Sequence, residues 1–276
     1  MKLISPTDAL EQAQNELDEK VKSNFEAKVY PLYYPHEHNR RKMMHAGSSF
    51  AMEYRGKLYV VTAAHVIEHL PDSKSGELYI GVLNHNQFYI GEKTSDSKLV
   101  LKNQNHDFAL IEITGPAENA IRAQGFVREN EVAFHGGAID DHYYVCMGYP
   151  HSRNRRQDVA RQQMGTELVT YGTMYQTDEM ARQRSEINEA YHLAMCRNNK
   201  VSRDPEGNRK EAYGFKGMSG GPVIDAGALG STAMIGCTDN VEPKVIAIIF
   251  EFHNKHQTIK SLRMKVVKNS LQDLLS

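Results

Sequence analysis

The run GFKGMSGGPVID at residues 214–225 sets four glycines and a proline around one serine, and it limits the fold more tightly than any other stretch. Glycine reaches backbone conformations closed to other residues, while proline fixes its own φ and donates no hydrogen bond. Ser219 is therefore presented in a tight turn. The turn is succeeded by Pro222 and the β-branched pair Val223-Ile224, which favours a strand over a helix. A turn that feeds a strand points to a β-protein.

The rest of the chain has the same texture. Residues 48–54 and 57–62, divided by Arg55-Gly56, read as a hairpin, and short strands are expected at 78–83, 87–91, 99–102 and 108–113. Residues 114–130 hold Gly115-Pro116 and little periodicity, so they read as a linker. Strands are expected again at 131–135, 143–149 and 168–174. A helix-like piece at 178–189, an apolar stretch at 191–196 and a polar loop at 197–210 come next, and the run at 245–252 is the most strand-like of all. Helices are expected mainly at the two ends. Ser5 can cap one over residues 6–24, with Leu10, Ala13, Leu17 and Val21 on one face. Residues 266–275 repeat that pattern with Val267, Leu271, Leu274 and Leu275. The expected fold is all-β with terminal helices, its strands in two packed antiparallel barrels or sandwiches. The expected division is an N-terminal helix (1–25), a first β unit (26–113), the linker (114–130), a second β unit (131–265) with a polar insertion at 151–216, and a C-terminal helix (266–276).

A net charge of −1 over 276 residues supplies no global field toward nucleic acid or membrane. The longest aliphatic and aromatic run, residues 245–250, is too short to cross a bilayer, and no signal peptide is legible. Cys146, Cys196 and Cys237 lie far apart with no C-x-x-C pair, which favours free thiols over disulfides or zinc. His36, His38, His253 and His256 lack partners at ligand spacing, so neither a metal nor a cofactor is expected. A cytoplasmic location is.

A serine hydroxyl becomes a nucleophile when a base takes its proton and a third group orients that base. His65 ends the run LYVVTAAH, where an apolar strand gives way to two alanines. Asp107 stands at the mouth of the apolar strand FALIEI, where a carboxylate needs hydrogen-bond donors such as an imidazole N–H. The chain order is His, Asp, Ser. The sequence GMSGG also fits the G-x-S-x-G turn of α/β-hydrolases, but there the turn enters a helix and the histidine comes last. Only His253 and His256 could serve, close behind the serine, and that reading is rejected.

TAAH at 62–65, HDFALI at 106–111 and GMSGGPV at 217–223 resemble, in order, the three signatures of trypsin-like (chymotrypsin-fold) serine peptidases. The run GSSF at 47–50 is similar to that family's lead-in to the histidine strand. The resemblance implies two six-stranded β-barrels with the site between them. It implies His65 as general base and acid, Asp107 as its orienting partner, Ser219 as nucleophile, and the N–H groups of Gly217 and Ser219 as an oxyanion hole. In secreted animal members an Asp precedes the nucleophile and receives a new N-terminus on activation; here Met218 stands in that place. Tyr213 falls where the family floors its primary pocket, so cleavage after Arg or Lys is not implied. The strand at 245–252, with Phe250 and Glu251, resembles the one that pairs with substrate backbone; a solvated strand residue is an equal reading of Glu251.

Arg153, Arg155, Arg156 and Arg161 open the insertion. They read as a solvated face, with an acidic partner or nucleic acid as the alternative; no binding motif favours nucleic acid. The expected function is a serine endopeptidase acting on protein or peptide through an acyl-enzyme, with a regulatory protein acting on the insertion as a further partner. A protease-fold adaptor that does not cleave, and an esterase on the same triad, are the alternatives.

Overall fold

The computed structural model describes residues 5–36, 39–68, 78–82, 87–89, 97–135, 141–152, 154, 157–158, 163–164, 167–197, 202–203, 209–210, 214–229 and 242–276. Tyr213, His38, Cys237 and the four arginines at the start of the insertion lie outside these residues.

Helix α1 (Pro6–Phe25) starts as expected, with the Ser5 hydroxyl accepting from the Asp8 N–H at 3.1 Å. Ala13, Leu17, Val21 and Phe25 are buried along one stripe, whereas Leu10 is 39% exposed. The first sheet comes next in the chain: β1 (Val29–His36), β2 (Asn39–Tyr54), β3 (Lys57–Thr62), β4 (Tyr79–Gly81), β5 (Gln87–Tyr89), β6 (Ser97–Asn103) and β7 (Phe108–Ile113). Their order is β5-β4-β1-β2-β3-β7-β6, antiparallel throughout. A short helix α2 (Ala64–Glu68) leaves the end of β3, and α3 (Gly115–Gln124) comes after β7.

The second sheet has order β11-β8-β15-β16-β17-β12, built from β8 (His142–Gly148), β11 (Val169–Met174), β12 (His192–Cys196), β15 (Pro222–Ala228), β16 (Lys244–His253) and β17 (Thr258–Arg263). Two-residue strands β9 (Gln157–Asp158), β10 (Gln163–Met164), β13 (Ser202–Arg203) and β14 (Arg209–Lys210) form two separate ladders between them. The edges β11 and β12 meet through a Tyr175–Met195 bridge and a 2.9 Å bond from Gln176 N to Ala194 O, which curls this sheet toward closure. Helix α4 (Glu179–Arg184) precedes β12, and α5 (Met264–Leu275) ends the chain.

Alternation along the strands builds three apolar layers. On β7, Ala109, Ile111 and Ile113 fill the core of the first sheet, while Phe108 and Leu110 face the other way. On β8, Tyr144 and Cys146 enter the core of the second sheet, while Tyr143, Val145 and Met147 join Phe108 and Leu110. That shared layer also takes Leu17, Val21 and Phe25 of α1 and Val267 and Leu271 of α5. The terminal helices are thus part of the main core.

Several local expectations are corrected. Residues 114–130, read as a linker of little periodicity, hold a helix over Gly115–Gln124: Pro116 sits in the first turn of α3, where its missing N–H costs nothing, and Ala117 and Ile121 are buried. Residues 131–135 form no strand beyond a single bridge from Val132 to Val245. Helix within 178–189 is confined to six residues, capped by the Asp178 carboxylate. Strand β1 departs from the sequence pattern, because Pro31 and Pro35 argue against an interior strand. The thiols of Cys146 and Cys196 are free, and burial pushes Cys146 up to about 12. Among the described residues, no helix is long and apolar enough to cross a membrane.

Candidate active site

The turn between β6 and β7 delivers Asp107. The Asn103 side chain accepts from the His106 N–H at 3.1 Å, and Asp107 itself takes a left-handed φ of 51°. Such a backbone is costly for a residue with a Cβ and persists where surrounding contacts fix it. The contacts here are to His65. Asp107 Oδ1 accepts from the His65 backbone N–H at 2.9 Å, and Oδ2 lies 2.7 Å from the ring Nδ1. One carboxylate therefore fixes both the position of the helix start that carries His65 and the plane of its imidazole. The hydrogen bond that the ring donates to Asp107 raises the His65 pKa above its ordinary 6.5; partial burial opposes this, and the charges of Asp107, Glu68 and Glu251 add to it.

His65 is placed by the end of β3. Thr62 is the last strand residue, and Ala63 and Ala64 behind it are both buried. Val66, the next residue on α2, lies against Gly47 of β2: a Cβ there would stand 2.7 Å from Val66 Cγ2 and 3.1 Å from the Ser219 carbonyl oxygen. Gly47 thus touches both the histidine helix and the serine turn.

Ser219 sits in the turn that enters β15. Gly217 has φ 99° and Gly220 φ 90°, both in the region that favours glycine. A Cβ on Gly217 would lie 2.8 Å from His151 N and from Tyr149 O, and one on Gly220 would overlap Ser48 O and Thr62 Oγ1. The turn is pressed directly onto the first sheet. Met218 between them is fully buried in the core of the second sheet. Among the described residues, no hydrogen bond engages the N–H of Gly217 or of Ser219, while Met218 N donates to Phe215 O and Gly220 N to Ile249 O. The Ser219 hydroxyl donates to the Phe250 carbonyl at 3.4 Å.

Behind Gly217 stands a histidine pair that no sequence signal singles out. His45 Nδ1 and His151 Nδ1 are 2.9 Å apart, and burial, then the neighbouring His151, lower His45 to about 3. The His151 N–H donates to Lys216 O at 2.7 Å, which anchors the approach to the turn.

Of the residues expected to contact substrate, Phe250 packs its ring partly buried against the core of the first sheet and the shared layer, 5.4 Å from the His192 ring and 5.6 Å from Lys260 Nζ. Glu251 is more open and lies 3.2 Å from His253 Nε2 and 3.5 Å from Lys260 Nζ. Tyr213 lies outside the described residues. Strand β15 pairs β16 only from Lys244 to Ile248. Beyond that, among the described residues, Glu251 to His253 pair with β17 alone.

A family model of the trypsin-like peptidase domain matches residues 47–229, more than half of the chain and inclusive of His65, Asp107 and Ser219. The chain belongs to the trypsin-like peptidase family. No curated protein matches it. The two antiparallel sheets with helices at the termini are accordingly a chymotrypsin-like double barrel, and the activity of a trypsin-like peptidase domain is of the serine-protease type, directed at protein or peptide.

Proposed function

We propose that the chain is a serine endopeptidase that works through an acyl-enzyme, with Ser219 as nucleophile, His65 as general base and acid, and Asp107 as the group that orients His65. The observation that carries this reading is the double contact from Asp107 to His65, at 2.9 Å to the backbone N–H and 2.7 Å to Nδ1. It leaves Nε2 as the nitrogen able to accept a proton.

In this reading a substrate strand adds to the free edge of β16 beside Glu251. A rotation about χ1 moves the Ser219 hydroxyl from the Phe250 carbonyl to His65 Nε2. Oγ attacks the scissile carbonyl as Nε2 takes its proton, and the new oxyanion is received by the N–H groups of Gly217 and Ser219. The proton passes to the leaving amine, and water then cleaves the acyl-enzyme by the same route. The first β unit (26–113) supplies His65 and Asp107, and the second (131–265) supplies Ser219. Free thiols at Cys146 and Cys196 fit a reducing compartment, so the cytosol is the proposed location. A regulatory protein would act on the insertion at 151–216.

The test is to incubate a lysate with the wild type and with Ser219→Ala and to identify new protein N-termini. Termini made by the wild type alone support the reading and reveal its cleavage preference. None under any condition would leave the non-cleaving adaptor as the better account.

A further inference from the structure

Ser48 has a partner for every polar group it carries, and its N–H and hydroxyl serve the contact between the two sheets. It is fully buried on β2 opposite Pro31, which has no N–H to offer it. Its backbone N–H donates to the Ser219 carbonyl at 2.9 Å, and its carbonyl accepts from Thr62 Oγ1 at 2.8 Å. Its hydroxyl donates to the Gly217 carbonyl at 2.7 Å and accepts from the Tyr149 N–H at 2.8 Å. Ser48 thus grips the carbonyls of Gly217 and Ser219, the two residues whose N–H groups carry no hydrogen bond among the described residues.

We propose that Ser48 is the positioning residue of the oxyanion hole, and this rests on the serine-peptidase reading above. The peptide between Gly217 and Met218 is held at both ends, by Ser48 Oγ on its oxygen and by Phe215 O on its N–H. With that peptide plane fixed and Gly217 at φ 99°, the two N–H groups are aimed before substrate arrives. Preorganised donors need no reorganisation when the oxyanion forms. The hydroxyl also ties the turn to Tyr149, so the end of β8 and β2 move with it as one body. Removing the hydroxyl leaves the Gly217 carbonyl and the Tyr149 N–H buried without partners, and a turn of the peptide plane toward another donor then becomes favourable.

The experiment compares wild type, Ser48→Ala and Ser48→Cys, each normalised by titration of labelled Ser219. Ser48→Ala should lower kcat by about 10- to 100-fold with KM within about threefold, because the lost interaction acts on the transition state. Affinity for a peptide boronic acid, which forms a tetrahedral adduct, should fall with kcat/KM, while affinity for a non-cleavable peptide should not. The acid limb of the pH profile should stay in place, since His65 and Asp107 are untouched. Ser48→Cys keeps a weak donor of similar shape and should be intermediate. If Ser48→Ala does not fold, Ser48→Cys decides: a lowered kcat with near-normal affinity for the non-cleavable peptide supports the proposal, and a wild-type kcat overturns it. Ser48→Ala with wild-type kcat and boronate affinity overturns it also, even with a lowered Tm. A wild type that neither labels nor cleaves would refute the serine-peptidase reading itself, and this inference with it.

Discussion

Asp107 holds His65 by two atoms at once, the backbone N–H through Oδ1 and the ring Nδ1 through Oδ2, from a left-handed backbone of φ 51°. The orientation of the imidazole is therefore built into the β6–β7 turn and does not wait for substrate.

That contact fixes the sign of the pH dependence. The hydrogen bond to Asp107 raises the His65 pKa, so the inactive imidazolium persists to higher pH than in a free histidine. The acid limb of kcat/KM should have its midpoint above the ordinary value of 6.5, read from rates between about pH 5 and 9. The stability linkage runs the other way. A raised folded pKa stabilises the chain fully below the unfolded value, and that contribution fades as pH rises through the folded value. A profile that is flat, or centred below the ordinary histidine value, would contradict the role of His65.

Asp107→Asn should separate orientation from fold. An amide that turns its NH₂ toward Nδ1 favours the tautomer with the proton on Nε2, which cannot accept from Ser219. The rate should fall by about 10⁴ while the chain stays folded. The acid limb that remains should move down, because the group that raised the pKa is gone. Circular dichroism with single-turnover rates checks both parts.

Glycines around Ser219 should differ sharply in tolerance. Gly220→Ala combines φ 90° with overlap onto Ser48 and Thr62, so the two sheets could not dock as they do. Loss of soluble protein, or a destabilisation of about 3 kcal/mol or more, is expected. Gly214→Ala meets nothing within 4 Å among the described residues and has no positive φ, so it should stay within about 0.5 kcal/mol of wild type. Chemical denaturation of the two variants measures the contrast.

No new N-terminus should be needed for activity. Met218 is fully buried and carries no charge, so a liberated amine would be desolvated there without a carboxylate. A cut between residues 25 and 45 would also cut into or beside the β1–β2 pairing and detach α1, whose Leu17, Val21 and Phe25 lie in the shared core. Leu17→Ala alone should cost about 2–5 kcal/mol. A chain behind an uncleavable N-terminal fusion should react like the unfused one, with mass spectrometry showing the junction intact. Activity that arises only after a cut in that segment would contradict this.

The parts of the fold legible in the sequence are those specified locally. The cap at Ser5, the hairpin at Arg55-Gly56 and the glycine turn at Ser219 each carry their own signal within a few residues. Strand β1 is different, because its prolines are tolerated only through tertiary structure: Pro31 faces Ser48, whose carbonyl needs no donor from it because it already accepts from Thr62 Oγ1. Helix α3 is obscured because Gly115-Pro116 suits a turn as well as a helix start. At the site, His65, Asp107 and Ser219 stand out in the sequence through their flanking residues. The contribution of Ser48 is not, since its bonds reach Gly217, 169 residues away, and Tyr149; the run GSSF is the signal that marks the place. The His45–His151 pair is likewise a product of the folded contact alone.

His65, Asp107 and Ser219 are proposed to act together as one nucleophilic unit. Labelling with a fluorophosphonate, with mass spectrometry of the modified peptide, is the measurement that checks this. The wild type should be modified at Ser219 alone, Ser219→Ala should not be modified, and His65→Ala should react slower by orders of magnitude. His65→Ala reacting at the wild-type rate, or modification at another residue in the wild type, would contradict it.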